Sequence, residues 1–134
     1  MATNTGYKYG TPVFDTITSG STGNWEDKAM ANAAVFVGTA YSLDGKAGVE
    51  VFVEVDANGG QPGDLTIEFF KSIYQTHGQK TLTLTIEVAE VQGWVWNFSA
   101  ADFQNMLIKL TNSTGDEVGS TVKFTPFDIP ATVA

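Results

Sequence analysis

The sequence predicts an all-β protein: a single antiparallel β-sandwich of about eight strands, with a jelly-roll or immunoglobulin-like arrangement. Three observations predict it. Hydrophobic residues alternate with polar ones in several short segments, turn-forming residues separate these segments, and no long stretch has the 3.6-residue period of a helix. At 134 residues the chain has the size of one ordinary domain, which buries enough surface to fold without a metal or a disulfide.

The strands are justified by their alternation, starting with the clearest one. Residues 49–56 place four valines on one face and three acids on the other, where Phe52 interrupts the polar pattern. A weaker strand is predicted at 14–18, and a strand with a bulge at Gly38 over 35–43. Further alternating segments cover 65–70, 81–91, 94–98, 106–111 and 121–124, the last interrupted by Pro126. Turns are predicted at Leu43–Lys46, Asn58–Asp64, Thr76–Gln79 and Asn112–Asp116, and one helical turn at Ser99–Phe103.

The first thirty residues differ from the rest in composition, because Thr, Asn, Gly and Ser dominate them. Such a segment cannot build a core alone, so it is either disordered or an extended arm that becomes ordered on a neighbouring surface. Its scattered aromatic residues favour the second alternative. We therefore predict an N-terminal arm over residues 1–30 and a sandwich domain over residues 31–134. The proposed partner contacts are Tyr7, Tyr9, Phe14 and Trp25.

Charge and composition exclude several functions. Seven lysines and no arginine face fifteen acids, giving a net charge of -8, so nucleic acids and anionic membrane surfaces would repel the chain. The chain has no cysteine and one histidine, which excludes thiolate chemistry and structural zinc. Residues 1–7 have neither a basic start nor a hydrophobic core segment, so we expect no secretory signal peptide.

The sequence signals for catalytic or metal-binding residues are weak. His77 has no nucleophile-elbow sequence near it and is interpreted as a turn residue. Glu50 and Glu54 are about 13 Å apart along one strand, too far for the ~5–9.5 Å of a paired-acid hydrolase, although pairing with Glu68 or Glu87 of another strand would be closer. The segment that starts at Asp56 resembles the beginning of a calcium loop with Asn58 and Asp64, but it has Gly60 at its fifth position and Ile67 at its twelfth. We therefore expect no enzyme, no metal and no cofactor.

Aromatic residues give the alternative functions. Trp94 and Trp96 share a strand face with Phe98, and core packing is their ordinary role. The alternative is a stacking platform for a sugar or an anchor for a protein partner. In addition, Phe52, Phe70 and Leu107 lie on otherwise polar strand faces, which indicates a covered surface.

A family resemblance covers residues 33–128. Leu43-Asp44-Gly45 leads into the strand at 49–56, and later come the segments Leu107–Gly115 and Thr121–Phe124. In this layout the chain resembles the small β-sandwich accessory proteins of tailed-bacteriophage virions, of the head decoration or cement type. The resemblance implies a non-enzymatic virion protein, made in the host cytoplasm, which binds the major capsid protein as a homotrimer and stabilises the head. The alternatives are a carbohydrate-binding or receptor-binding module and another virion component of the tail or neck.

Overall fold

Alternating valines show how the sequence builds its buried face. The four valines between residues 49 and 55 are all fully buried, whereas Glu50 and Glu54, which lie between them, are half-buried. Successive side chains of a strand point to opposite sides of a sheet, so this strand has one face in the core and one in contact with solvent. The strand predicted over residues 49–56 is confirmed.

The computed structural model describes residues 8–57, 63–71, 78–86, 91–103 and 105–128, and only the backbone for 78–86. Among these residues no helix has the length and hydropathy that a membrane span requires. The described residues form thirteen strands in two antiparallel sheets, which confirms the predicted β-sandwich. The strands are β1 (Lys8–Tyr9), β2 (Val13–Phe14), β3 (Thr16–Ser19), β4 (Gly23–Asn24), β5 (Lys28–Met30), β6 (Val35–Gly38), β7 (Tyr41–Ser42), β8 (Gly48–Asp56), β9 (Gly63–Phe70), β10 (Gly78–Ile86), β11 (Val91–Ser99), β12 (Asn105–Ser113) and β13 (Val118–Asp128).

Sheet A contains six strands, with β13 and β8 at its centre. One side of β8 pairs with β13 and the other side pairs with β11, in both cases over nine residues. The far side of β13 pairs with three short strands in succession, β5, β2 and β1. One edge of sheet A is therefore a single long strand, and the other edge is divided into short pieces.

Sheet B contains seven strands in the order β10-β9-β12-β6-β3-β4, and β7 pairs with the start of β12. The hydrophobic core lies between the two sheets. Its largest fully buried side chains include Trp25, Phe69 and Phe124. The Phe69 ring of sheet B contacts two aromatic rings of sheet A, with centroid distances of 5.3 Å to Trp96 and 4.8 Å to Phe98. These aromatic contacts join the sheets near β11.

A second, smaller cluster explains two hydrophobic residues on polar strand faces. Phe70 and Leu107 lie opposite each other on β9 and β12, and both are buried together with Val37. Phe70 and Leu107 are therefore covered by residues of the same chain, and no partner is needed to cover them. Phe52 is different, because it is only half-buried.

The N-terminal segment differs from the expected extended arm. β1, β2 and β5 pair with β13 in sheet A, and β3 and β4 extend sheet B. From Lys8 onwards, the segment predicted as an arm over residues 1–30 is therefore part of the sandwich. Its polar composition suggested otherwise, but three large side chains among its described residues lie in the core: Ile17, Trp25 and Met30.

Pro126 does not interrupt the last strand, contrary to expectation. β13 continues to Asp128, and Pro126 pairs with Val49 of β8. The Pro126 carbonyl accepts a 2.7 Å hydrogen bond from the Gly10 amide on the other side of β13. The N–H and C=O of one strand residue point to the same side, so the missing proline N–H faces away from β8 and costs that ladder nothing.

Two other predicted strands have different bounds. The segment 35–43 is divided between β6 and β7, with β6 ending at Gly38. β10 ends at Ile86, residues 87–90 lie outside the described residues, and Val91 begins β11. The turn at 43–46 is present, with a hydrogen bond from the Lys46 amide to the Leu43 carbonyl. Parts of the turns predicted at 58–64 and 76–79 lie outside the described residues.

Candidate functional site

Strand register places an aromatic–lysine–aromatic row on the outer face of sheet A. Lys123 of β13 lies directly opposite Phe14 of β2 on one side and Phe52 of β8 on the other. All three side chains are half-buried, and Val95 of β11 extends the row beyond Phe52. Residues that are far apart in the sequence therefore meet because three neighbouring strands align them.

The lysine ammonium lies over both phenylalanine rings of this row. The Lys123 Nζ atom is 5.3 Å from the centroid of Phe14 and 5.4 Å from that of Phe52. Both distances lie within the roughly 6 Å over which a cation is attracted to the face of an aromatic ring. The Phe52 ring also lies beside Gly93, where a Cβ atom would be 3.3 Å from Phe52 Cε2. These neighbours hold the aromatic rings and the ammonium in place.

The loop between β4 and β5 brings two acids to the same face. The Asp27 amide donates a 2.9 Å hydrogen bond to the Thr121 hydroxyl oxygen of β13. Asp27 has a φ of 47°, in the left-handed region that non-glycine residues seldom adopt. Its carboxylate lies against Gly119, where a Cβ atom would be 2.9 Å from Asp27 Oδ1. Strained backbone of this kind persists where the surroundings hold it, and here the hydrogen bond to Thr121 holds Asp27 beside the row.

The row and the loop enclose an open groove of about 370 Å³. The groove has hydrophobic ring surfaces, carboxylate oxygens that accept hydrogen bonds, and hydroxyl and ammonium groups that donate them. Its four carboxylates outnumber its single ammonium group. The lining residues are Phe14, Glu26, Asp27, Phe52, Glu54, Asp56, Thr121 and Lys123.

The acids that the sequence analysis considered for hydrolysis or calcium binding lie at different places in the sandwich. Glu54 lies opposite Thr121 and Gly93, so neither adjacent strand places a carboxylate directly across from it. No group of three or more acids or histidines in the described residues is arranged to hold a metal ion. Of the candidate calcium ligands, Asp56 belongs to sheet A and Asp64 belongs to sheet B. Asn58, His77 and Glu87 lie outside the described residues.

The four proposed partner contacts have different positions. Tyr7 lies outside the described residues. Tyr9 is 50 % exposed on β1, and its ring is 5.6 Å from that of Phe127. Phe14 forms part of the groove. Trp25 is fully buried, and its indole N–H donates a 2.8 Å hydrogen bond to the hydroxyl oxygen of Ser120. The prediction that Trp25 is a surface contact is therefore wrong, because its ring belongs to the core of this chain.

Trp94 and Trp96 are half-buried and pack against the core from the edge strand β11. They point to the inner side of sheet A, so they form no open stacking platform on its outer face. Sequence reasoning identified Phe52 by its break in the alternation. It missed Lys123, Glu26 and Asp27, because only the register of β13 and the path of the β4–β5 loop bring them to Phe52.

Comparisons with known proteins concern the fold. No protein-family model and no curated protein sequence matches the chain. Among solved structures, the CBM36-1 domain of a multidomain xylanase from the hindgut metagenome of Trinervitermes trinervoides matches with a TM-score of 0.52 and 11% identity, over 92% of this chain and 100% of that one. The likeness is one of fold.

Two further structures match with lower TM-scores. The first is CBM35 from Cellvibrio japonicus Abf62, with a TM-score of 0.44, 14% identity, and coverage of 91% of this chain and 82% of that one. The second is a protein of the Bacillus endospore appendages, which form disulfide-linked pili. Its TM-score is 0.47 and its identity 11%, over 97% of this chain and 93% of that one.

Proposed function

We propose that this chain is a non-catalytic carbohydrate-binding module that binds a neutral oligosaccharide in the groove of sheet A. The observation that carries the proposal is the row formed by Phe14, Lys123 and Phe52, with acids along one side. The fold supports it, because the similar structure from the Trinervitermes trinervoides hindgut metagenome is a CBM36-1 domain of a xylanase. Similarity of fold alone does not establish a function, so the proposal rests on the residues of the groove.

A sugar ring matches the two chemical surfaces of the groove. One face of a pyranose presents C–H groups that pack on an aromatic ring, and its edge presents hydroxyl groups that donate and accept hydrogen bonds. Binding sites of this type combine hydrophobic and aromatic surface with a few fixed polar groups that set orientation. Phe14 and Phe52 supply the first surface. Thr121, Lys123 and Glu54 supply donors and acceptors at the second.

Charge indicates which sugars the groove accepts. It contains four carboxylates and one ammonium, on a chain with a net charge of -8. Uronate or sulfated glycans would bring negative charge against these carboxylates, and this repulsion costs binding free energy. Neutral glycans avoid that cost. We therefore expect neutral polysaccharides to bind and acidic ones to be rejected.

Affinity electrophoresis through gels containing soluble polysaccharides tests the proposal. The panel contains neutral xylans and glucans together with acidic pectin and alginate. We expect a neutral polysaccharide to retard the wild-type chain and Phe52→Ala to weaken this binding at least about tenfold. Tyr9→Ala is the matched control, because it removes an exposed aromatic ring outside the groove. The proposal is contradicted if no neutral polysaccharide retards the chain, or if both variants lose the same amount of affinity.

Capsid decoration remains a second proposal, drawn from the resemblance to phage accessory proteins. The observation that favours it is hydrophobic exposure on β1 and β2, where Tyr9 is 50 % and Val13 43 % exposed. In this proposal these residues contact the major capsid protein and the chain acts as a homotrimer on the virion surface. The test is co-sedimentation with capsids of a phage that encodes the chain. Binding lost in a Tyr9→Ala, Val13→Ser double variant supports it, and no co-sedimentation contradicts it.

A further inference from the structure

In the described part of the chain, the long edge of sheet A lacks the charges, bulges and division into short strands that normally protect such an edge. β11 has nine residues, and all of them pair with β8 without a shift of register. No other strand in the described part of the chain pairs with β11. None of the residues from Val91 to Ser99 carries a charge. Two of its valines, Val91 and Val95, are more than half exposed.

The opposite edge of the same sheet shows the usual protection. It is divided into β1, β2 and β5, of two or three residues each, and it carries Lys8 and Lys28. Proteins generally use short edge strands, bulges and charges to prevent their edges from pairing with other strands. The contrast within one sheet singles out β11 as an edge that accepts another strand.

We propose that β11 is an interface at which two copies of this chain join, so that sheet A continues from one copy into the other. The edge of a sheet presents a row of N–H and C=O groups, and another extended strand can pair with them along its length. An antiparallel pair of identical strands has two-fold symmetry, which closes the assembly at two copies.

The absence of charge on β11 lets a second copy pair at this edge without direct side-chain repulsion. Two chains of net charge -8 repel each other, and like charges placed directly opposite in a sheet destabilise the pairing. β11 offers nine uncharged residues, so two copies meet there without opposing side-chain charges. Added salt screens the repulsion that remains, so the dimer should strengthen as ionic strength rises.

The symmetry axis is expected at Val95. Residue 95 is the midpoint of β11, and only this register pairs all nine residues of both strands. Val95 then lies opposite Val95 of the second copy on the outer face. On the inner face Trp94 lies opposite Trp96 of the second copy, and the new strand covers both half-buried indoles. Valine and aromatic cross-strand pairs are among those that stabilise antiparallel sheets.

Sedimentation analysis of the full chain tests whether copies associate through β11. We expect the wild-type protein to reach twice the chain mass of 14.3 kDa as concentration and salt increase. Val95→Lys places two lysines opposite each other at the axis and should raise the dissociation constant at least about tenfold. Val13→Lys is the control, because Val13 is similarly exposed on the other edge of sheet A. A monomer at all concentrations, a trimer, or equal effects of both variants overturns the proposal.

Cross-linking tests the register directly, since the chain contains no cysteine. Directly opposed residues of antiparallel strands have Cα atoms about 4.5–5.5 Å apart, within the range that a disulfide spans. We expect mild oxidation to convert Val95→Cys into a covalent dimer, and Val13→Cys to stay monomeric under the same conditions. A far-ultraviolet spectrum unchanged from wild type shows that each variant is folded. If folded Val95→Cys cross-links no faster than Val13→Cys, the proposed axis is wrong.

Discussion

Trp25 and Ser120 are joined by a 2.8 Å hydrogen bond between the indole N–H and the hydroxyl oxygen, across 95 residues of sequence. Both residues are buried, and Ser120 also lies 3.3 Å from the Lys28 carbonyl. The amide of Trp25 donates to the Asp15 carbonyl, and the Trp25 carbonyl accepts from the Val122 amide. Trp25 therefore joins the N-terminal segment to the last strand of the sandwich.

The first prediction concerns the stability that this contact provides. Trp25→Ala should lower the free energy of unfolding by about 3–5 kcal/mol, because it removes a large side chain from the core. Ser120→Ala should cost about 1–3 kcal/mol, since it leaves the buried indole N–H without its partner. Urea denaturation measures both changes. A Trp25→Ala variant as stable as wild type would show that the ring does not belong to the core.

The second prediction concerns pH and Asp15. The Asp15 Oδ1 atom accepts hydrogen bonds from the Thr16 and Thr39 amides, whereas its buried Oδ2 atom has no hydrogen-bond partner among the described residues. Burial raises the pKa of Asp15 from 3.8 to about 7, against the lowering effect of the two amides. The folded state therefore keeps a proton that the unfolded state has already lost between about pH 4 and pH 7.

Stability should consequently fall as the pH rises through this window. The slope is about 1.4 kcal/mol per pH unit, and the total loss is on the order of 4 kcal/mol. Denaturation curves at several pH values should show this fall in the wild-type protein and a much smaller one in Asp15→Asn. Asp44→Asn, which changes an exposed acid, should keep the wild-type slope. The assignment fails if Asp15→Asn retains the same dependence on pH.

The third prediction concerns Asn112, which is fully buried at the end of β12. Its amide nitrogen lies within 3.1 Å of three carbonyl oxygens, those of Met30, Ala31 and Asp116, and its oxygen accepts from Thr114. Asn112→Ala leaves several buried polar groups unpaired and should cost about 3 kcal/mol or more in urea denaturation. Asn24→Ala, at an exposed position, should cost less than about 0.5 kcal/mol. Similar losses in the two variants would contradict this account.

How far the sequence predicts this molecule depends on whether a feature is local. The alternating valines of β8 fix which face is buried, because strand geometry alone decides it. The burial of Trp25 depends on Ser120, and the continuation of β13 through Pro126 depends on Gly10. Neither relationship has a local signal. A polar segment with one tryptophan has the same composition whether it is an exposed arm or a set of edge strands.

The candidate site shows the same limit. Phe52 breaks the alternation of its own strand, and this signal is visible in the sequence. Phe14 and Lys123 join it only through the register of β2 and β13 with β8. Register is set by the packing of whole strand faces, which one sequence does not specify residue by residue.

The fourth prediction concerns Lys123 in the groove. Lys123→Met keeps a long hydrophobic side chain over Phe14 and Phe52 but removes the ammonium and its hydrogen-bond donors. We expect the affinity for a neutral glycan to fall several-fold. The free energy of unfolding should change by no more than about 1–2 kcal/mol, which is the size of two partly exposed cation–π contacts. Lys46→Met, outside the groove, is the control for loss of one positive charge. Unchanged glycan binding in Lys123→Met would remove the ammonium from the proposed site.

Titration of isotopically labelled protein with the best neutral oligosaccharide, followed by NMR, locates the glycan on the sandwich. We expect amide and side-chain signals of Phe14, Phe52, Thr121 and Lys123 to shift together with one affinity, while signals of β9 and β12 in sheet B stay in place. Shifts concentrated in sheet B, or no shifts with any neutral glycan at millimolar concentration, would contradict the claim that this sandwich binds carbohydrate on the outer face of sheet A.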